Sequence, residues 1–446
     1  MSALRTSPIP NVTDPQNTAD NGPALLEPGQ DLHGEEAITR PRAQAPQDYD
    51  AIILSSFGGP EGQEDVIPFL RNVTRGRGIP DERLEEVATH YRANGGVSPI
   101  NAQNRALLEA LRRELAEHGP DLPITWANRN WKPYVADVLQ DLYEQGHRKI
   151  LVLATSAYPG YSSCRQYRED YGIALEQLGL EGKLQIDKVR QHYDAPGFIE
   201  SFSEGLRTGL REVREKIEAG RAASGSEASG QAEPPRIRIM FCTHSVPTTA
   251  ANEAGPRGVQ YEGGSAYVEK HYEAARAVLG QVEQAAPELL EGCQWELVYQ
   301  SRSGSPATPW LEPDVNDALE KLGGQVDGVV LVPLGFVSDH MEVRWDLDTE
   351  ALETCAELGI AAVRTPTPGT HPAYVRSLRD LIAERVCSTA PAEDAAEVQR
   401  ERVSACGGKG WYDQCDPDCC LSPRVQPPKP VIADYPGPKD PAQVSS

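Results

Sequence analysis

The chain carries no long apolar run. The longest, GVVLVPLGFV at 328–337, is about ten residues, too short to cross a bilayer and suited to a buried strand. Positive charge is also scarce. Lys and Arg number 43 against 66 Asp and Glu, for a net charge of −23. That balance excludes nucleic acid and anionic membrane surfaces as natural partners. The N-terminus lacks a charged start followed by an apolar stretch, so no signal peptide is read and the expected compartment is the cytoplasm. Gly-x-Gly-x-x-Gly, the P-loop, Gly-x-Ser-x-Gly and His-Glu-x-x-His are all missing. Their absence removes the common nucleotide, hydrolase and metalloprotease readings.

What is present is a chain of 446 residues, long enough for two domains with cores of their own. Residues 1–47 are rich in Pro, Asn, Gln and acidic groups without a hydrophobic period, and are expected to be disordered. Eight apolar stretches predict strands: 51–57, 124–129, 149–156, 185–190, 237–244, 295–301, 328–336 and 361–366. Helical patterns such as NRALLEALRRELAEHG (104–119) lie between them. The alternation predicts parallel sheets covered on both faces. RAASGSEASGQAEPP (221–235) has the composition of a surface linker. PYVADVL (133–139) and PDVNDAL (313–319) share one pattern, each follows a Trp, and each leads into an apolar strand. Two ordinary helix starts would give the same echo, as would duplication of one α/β unit. The expected division is a first half at 48–195, a second at 196–370, a C-terminal helix at 371–387 that packs back on the core, and a Pro-rich tail at 388–446.

In such sheets ligands sit beyond the carboxyl ends of the strands. Three strand ends or nearby loops carry candidate residues. His244, in FCTHSVP, ends an apolar strand, where an imidazole serves as proton acceptor or metal ligand, or simply caps the strand. In GFVSDHMEVRWDLDTE (335–350), Asp339, Glu342 and Asp346 stand at spacings of three and four, which predicts one helical face. Crowded carboxylates favour a cation or a proton between them, although an acidic first helical turn is also favourable in its own right. The loop HYRANGGVSPIN offers Ser98 beside two glycines, and TRGRG offers Arg75 and Arg77. Both are suited to a ligand bearing carboxylates, and both are compatible with an ordinary loop.

The tail holds four cysteines in ACGGKGWYDQCDPDCC (405–420). A disulfide staple is disfavoured in a reducing compartment. A zinc site within the tail lacks the usual closely spaced ligand pairs. The spacing alone leaves zinc, an iron–sulfur group and idle thiols open.

Taken in order, LSSFGGPEG, NVTRGRGIP, GGVSPIN, ANRNWKPY, THSVP, QSRSGSPATPWLEPDV and GFVSDHMEVRWDLD resemble the ferrochelatases, and more closely their actinobacterial coproporphyrin type. The likeness runs from about residue 48 to 387. It implies two Rossmann-like or flavodoxin-like halves with a porphyrin cleft between them. It also implies insertion of Fe²⁺ into coproporphyrin III in haem biosynthesis, with transient contact to other haem-pathway enzymes. His244 then falls on the family's proton acceptor and iron contact, and Glu342 on its acidic partner, with Asp339, Asp346 and Asp348 as polar support. Ser98 and Tyr167 fall on substrate contacts. Some relatives place a Tyr where this sequence has Phe57, which cannot ligate iron. The resemblance further implies a 2Fe–2S cluster on Cys164, Cys406, Cys415 and Cys420, leaving Cys419 spare. Insertion into protoporphyrin, insertion of another metal, and a catalytically silent haem or iron–sulfur sensor are the competing readings.

Overall fold

All eight expected strands form, and each ends where its apolar run ends. The computed structural model describes residues 5–6, 43–76, 78–223, 234–257, 259–303, 307–387, 402–407, 410–413, 415–422, 424–425 and 427–437. Strand β1 (Arg5–Thr6) is a short N-terminal addition. It precedes β2 (Ala51–Ser56), β3 (Ile124–Asn128), β4 (Lys149–Ala154) and β5 (Gln185–Lys188), then β6 (Ile237–His244), β7 (Cys293–Gln300), β8 (Gly328–Val332) and β9 (Ala361–Arg364). β8 stops before Pro333, which has no N–H to continue a ladder.

The strands make two sheets, ordered β3-β2-β4-β5 and β1-β7-β6-β8-β9, and every pairing is parallel. Without β1 the two orders are the same. The helix starts after β3 and β7 match as well. Asn128 N–H donates to the Pro133 carbonyl at 2.7 Å, and Tyr299 N–H donates to the Pro313 carbonyl at 2.9 Å. The echo seen in the sequence is therefore an echo in space: two similar flavodoxin-like units.

Alternation along the strands sorts side chains to two faces. Ile52, Leu54, Leu151 and Leu153 of the first sheet share one continuous core with Ile239, Phe241, Leu297 and Val332 of the second. The opposite faces bury Ile53 and Val152 in one outer core, and Met240, Val298 and Leu331 in another. A central apolar core thus joins the halves. The helix Pro372–Ala383 contributes Leu378 and Leu381 to it.

The expected disorder of 1–47 and the 221–235 linker fall mostly outside the described residues. The part of the first that is described is ordered. Arg5–Thr6 pairs with β7, and Gln44 N–H donates to Asp413 at 2.7 Å. The tail is likewise anchored, with Trp411, Tyr412, Val431 and Ile432 buried.

Candidate active site and cysteine nest

β6 and β8 are neighbours at the point where the chain switches direction across the second sheet, and their carboxyl ends open at a natural crevice. His244 is the last residue of β6. Its Nδ1 lies 2.5 Å from the Ser245 carbonyl. A carbonyl only accepts, so Nδ1 carries the proton and neutral Nε2 carries a lone pair. Nε2 faces Glu342 Oε2 at 3.5 Å. Two electron-pair donors confront each other across that gap, and a cation or a proton between them is favourable. Tyr267 OH donates to the His244 carbonyl at 2.8 Å, which fixes the strand end beneath the ring.

Glu342 leads into a π-helical segment, Val343–Ala351. Such wide turns are frequent at functional sites. The segment replaces the α-helix that the spacing predicts, and the acidic residues do not share one face. Asp339 and Asp348 both bind Arg364, at 3.2 and 2.6 Å. Asp346 stays with Glu342. It accepts from Ser301 Oγ and, at 3.2 Å, from Gln300 Nε2. Burial, and then the Glu342 charge, push the Asp346 carboxyl up to about 7. Burial depresses the value of His340, whose Nδ1 is 3.9 Å from Glu342.

A carboxyl raised in the native state weakens folding as pH rises through the interval between its unfolded value, 3.8, and about 7. We expect Asp346→Asn to raise stability at pH 8 by about 2 kcal/mol after discounting for partial exposure. The gain should vanish near pH 4, and urea denaturation at the two pH values reads it.

The first half closes over this loop. Gln103 Oε1 accepts from Asp339 N–H at 2.8 Å, and His90 stacks on Trp345 with ring centres 4.1 Å apart. Buried Tyr91 has its value raised by burial, with Glu342 and Asp346 adding to the effect. Phe57, at the end of β2, leaves 37% of its surface exposed. It offers an apolar face without a ligating atom. Ser98 and Tyr167 are both only 3% exposed, and the Arg129 guanidinium lies over the Tyr167 ring at 4.7 Å. Arg75 donates to Asn72 at 2.7 Å, and Arg77 lies outside the described residues.

The cysteines gather differently from the expected set. Cys419 Sγ is 3.6 Å from Cys420 Sγ, and Gly255 N–H points at Cys420 Sγ from 3.1 Å. The Cys419 contact brings the Cys420 thiol down to about 7, while burial pushes Cys164 up to about 11. Cys415 and Cys420 act electrostatically on Cys164, and Cys415 also touches Cys419. Cys164 and Cys415 line a small cavity with Arg168, Lys188 and Trp411. Cys406 has other neighbours, namely Asp194, Glu273 and Lys270. Among the described residues no three His, Cys, Asp or Glu side chains form a closed metal shell. The fit to a thiolate-bound group therefore rests on donor chemistry and charge.

Tyr91, Arg168 and Lys188 were not singled out from sequence. Arg168 stands one helical turn after Cys164, and Lys188 ends a buried strand. A cation at either position is the available signal.

Fold and site together define a two-lobed α/β enzyme with a cation-receptive cleft. The ferrochelatase family pattern matches residues 49–386, and the chain belongs to that family. The coproporphyrin III ferrochelatase of Leifsonia xyli subsp. xyli is 52% identical over 398 residues, 87% of this chain and 94% of its own. The protein of the same name from Streptomyces griseus subsp. griseus is 47% identical over 391 residues, 87% and 96% of the two chains. That of Tropheryma whipplei strain Twist is 47% identical over 376 residues, 84% and 90%.

Proposed function

We propose that the protein inserts Fe²⁺ into coproporphyrin III, forming the iron porphyrin and releasing two pyrrole protons. The observation that carries this reading is the His244 lone pair opposed to the Glu342 carboxylate across 3.5 Å. In this reading Fe²⁺ is held between them as substrate. The porphyrin must be bent so that its nitrogen lone pairs leave the ring plane, which a closing cleft can impose. His244 Nε2 accepts a pyrrole proton, and Glu342 contacts iron or passes a proton on. Phe57 supplies an apolar wall to the macrocycle. Arg75 and Arg77 are matched in charge to its carboxylates. Contact by Ser98 or Tyr167 requires the side chains above them to move, since both are covered here.

The halves at 48–195 and 196–370, the C-terminal helix and the tail belong to the same proposal. So does a cytoplasmic location, which suits nine free thiols. No helix among the described residues is long and apolar enough to cross a membrane.

A [2Fe–2S] group on tail cysteines and Cys164 is also part of this reading. When bound it supplies a one-electron centre on four thiolates. The buried thiols, with Arg168 and Lys188 beside them, suit an anionic sulfur-bound group. Cys164, Cys415 and Cys420 are the proposed ligands on which the sequence and this arrangement agree.

The test is an anaerobic assay in which Fe²⁺ meets equal amounts of coproporphyrin III and protoporphyrin IX. Coproporphyrin is expected to be consumed at least tenfold faster. Preference for protoporphyrin, preference for another divalent metal, or no turnover would overturn the reading in favour of one of its three competitors.

A further inference from the structure

Arg168 is a buried cation without an anion. It is 3% exposed. Its Nη2 donates to the Cys415 and Asp416 carbonyls at 2.9 and 3.0 Å. Its Nε and Nη1 have no partner. Lys188 is 7% exposed and meets only the Val189 carbonyl and Gln191 Oε1, at 2.8 and 2.5 Å. Among the described residues neither pairs with a carboxylate. Arg165, one turn away, makes the contrast clear, because Glu169 neutralises it at 2.7 Å. Two uncompensated charges in an apolar interior are costly, and buried N–H groups left without acceptors add to that cost. The side chains facing Arg168 are Cys415, Cys419, Cys164 and Cys420. Those facing Lys188 include Cys164, Cys415 and Cys420. An oxidised [2Fe–2S] group on four thiolates carries about two negative charges, which two cations offset.

We propose that the cluster's thiolates come from Cys164, Cys415, Cys419 and Cys420, with Cys406 outside the set, and that Arg168 donates its free N–H groups to cluster sulfur and holds its reduction potential up. The inference rests on the cluster reading above. Reduction adds one electron and one negative charge to the group. A fixed donor and a positive charge stabilise the reduced state more than the oxidised one. Cys420 takes the left-handed backbone at φ 54°, and its thiol contacts that of Cys419. The vicinal pair thereby presents both sulfurs to the same space.

Full-length protein purified anaerobically tests this. Visible absorption with iron and sulfide analysis is expected to show the chromophore in wild type and in Cys406→Ser, and to show it lost in Cys419→Ser. The reverse pattern overturns the ligand set. An EPR-monitored titration with dithionite should place the midpoint of Arg168→Met about 59 mV or more below wild type, a tenfold fall in the reduced-to-oxidised ratio at fixed poise. Arg168→Lys should fall between the two. A chromophore with unchanged midpoint in Arg168→Met overturns the role of Arg168 and leaves the cluster standing. A wild-type protein without iron and sulfide overturns the cluster reading itself. Should Arg168→Met fail to fold, wild type labelled with ¹⁵N in its arginine guanidinium groups serves instead. Pulsed EPR of its reduced cluster is expected to detect a guanidinium nitrogen coupling that Arg168→Lys removes. No coupling in wild type overturns the proposal.

Discussion

His244→Ala should lower the rate of Fe²⁺ insertion into coproporphyrin III by about 10³-fold, within the range for loss of a positioned acid–base group. It should leave fold and thermal midpoint close to wild type. The ring is partly exposed, and its bond to Ser245 lies within one residue, so no long-range contact depends on it. KM for porphyrin should change little. The replaced group meets the ion and the pyrrole hydrogen, and the apolar walls that grip the macrocycle remain. Stopped-flow or steady-state absorption under argon reads both constants. A kcat within threefold of wild type would remove His244 from the chemistry. A large rise in KM with kcat intact would make it a binding residue.

The second large effect lies far from the cleft. Asp413 has a side chain with no exposed surface. It accepts from Arg402 at 2.6 Å and from Gln44 N–H at 2.7 Å, and it lies 3.8 Å from Arg385, itself buried. Burial alone would raise its value. Arg385 and Arg402 outweigh that and hold the carboxyl below 3.8. Asp413→Ala leaves two guanidinium groups facing each other in the interior, and the expected loss is about 3–5 kcal/mol. Because three segments meet there, the tail should undock, and Trp411 fluorescence should shift to the red. The sign of the pH effect follows from the lowered value. The stabilisation is complete above the unfolded value near 3.8 and is lost as pH falls through the lower native value. Urea titrations at pH 7 and pH 3 check this. A change under about 0.5 kcal/mol, the range of ordinary surface substitutions, would mean that the cluster of charges does not hold the tail.

Strand positions and the duplicated architecture were legible because burial on both faces leaves continuous apolar runs, and each run fell on one strand. His244 was legible for the same reason. It is the residue at which such a run ends. The acidic segment was legible as a site but not in its geometry. Spacing assumed α-helical turns, whereas the chain winds as a π-helix, and Arg364 from β9 draws off Asp339 and Asp348. No local pattern reveals a partner so distant in sequence. The order of residues 43–47 was hidden in the same way. Their composition is that of a disordered chain, yet the Arg385 carbonyl and Asp413 accept their backbone N–H groups. The cysteines were legible as a group, while the separation of Cys406 from Cys415, Cys419 and Cys420 depends on the course of the intervening backbone.

The central claim is that one ion sits between an imidazole and a carboxylate at the ends of β6 and β8. X-ray absorption at the cobalt edge tests it most directly, with Co²⁺ in place of Fe²⁺ so that cluster iron does not contribute. Wild type is expected to give one imidazole in the metal shell, absent in His244→Ala, with weaker binding in Glu342→Gln. An imidazole that persists in His244→Ala, or none in wild type, would contradict it.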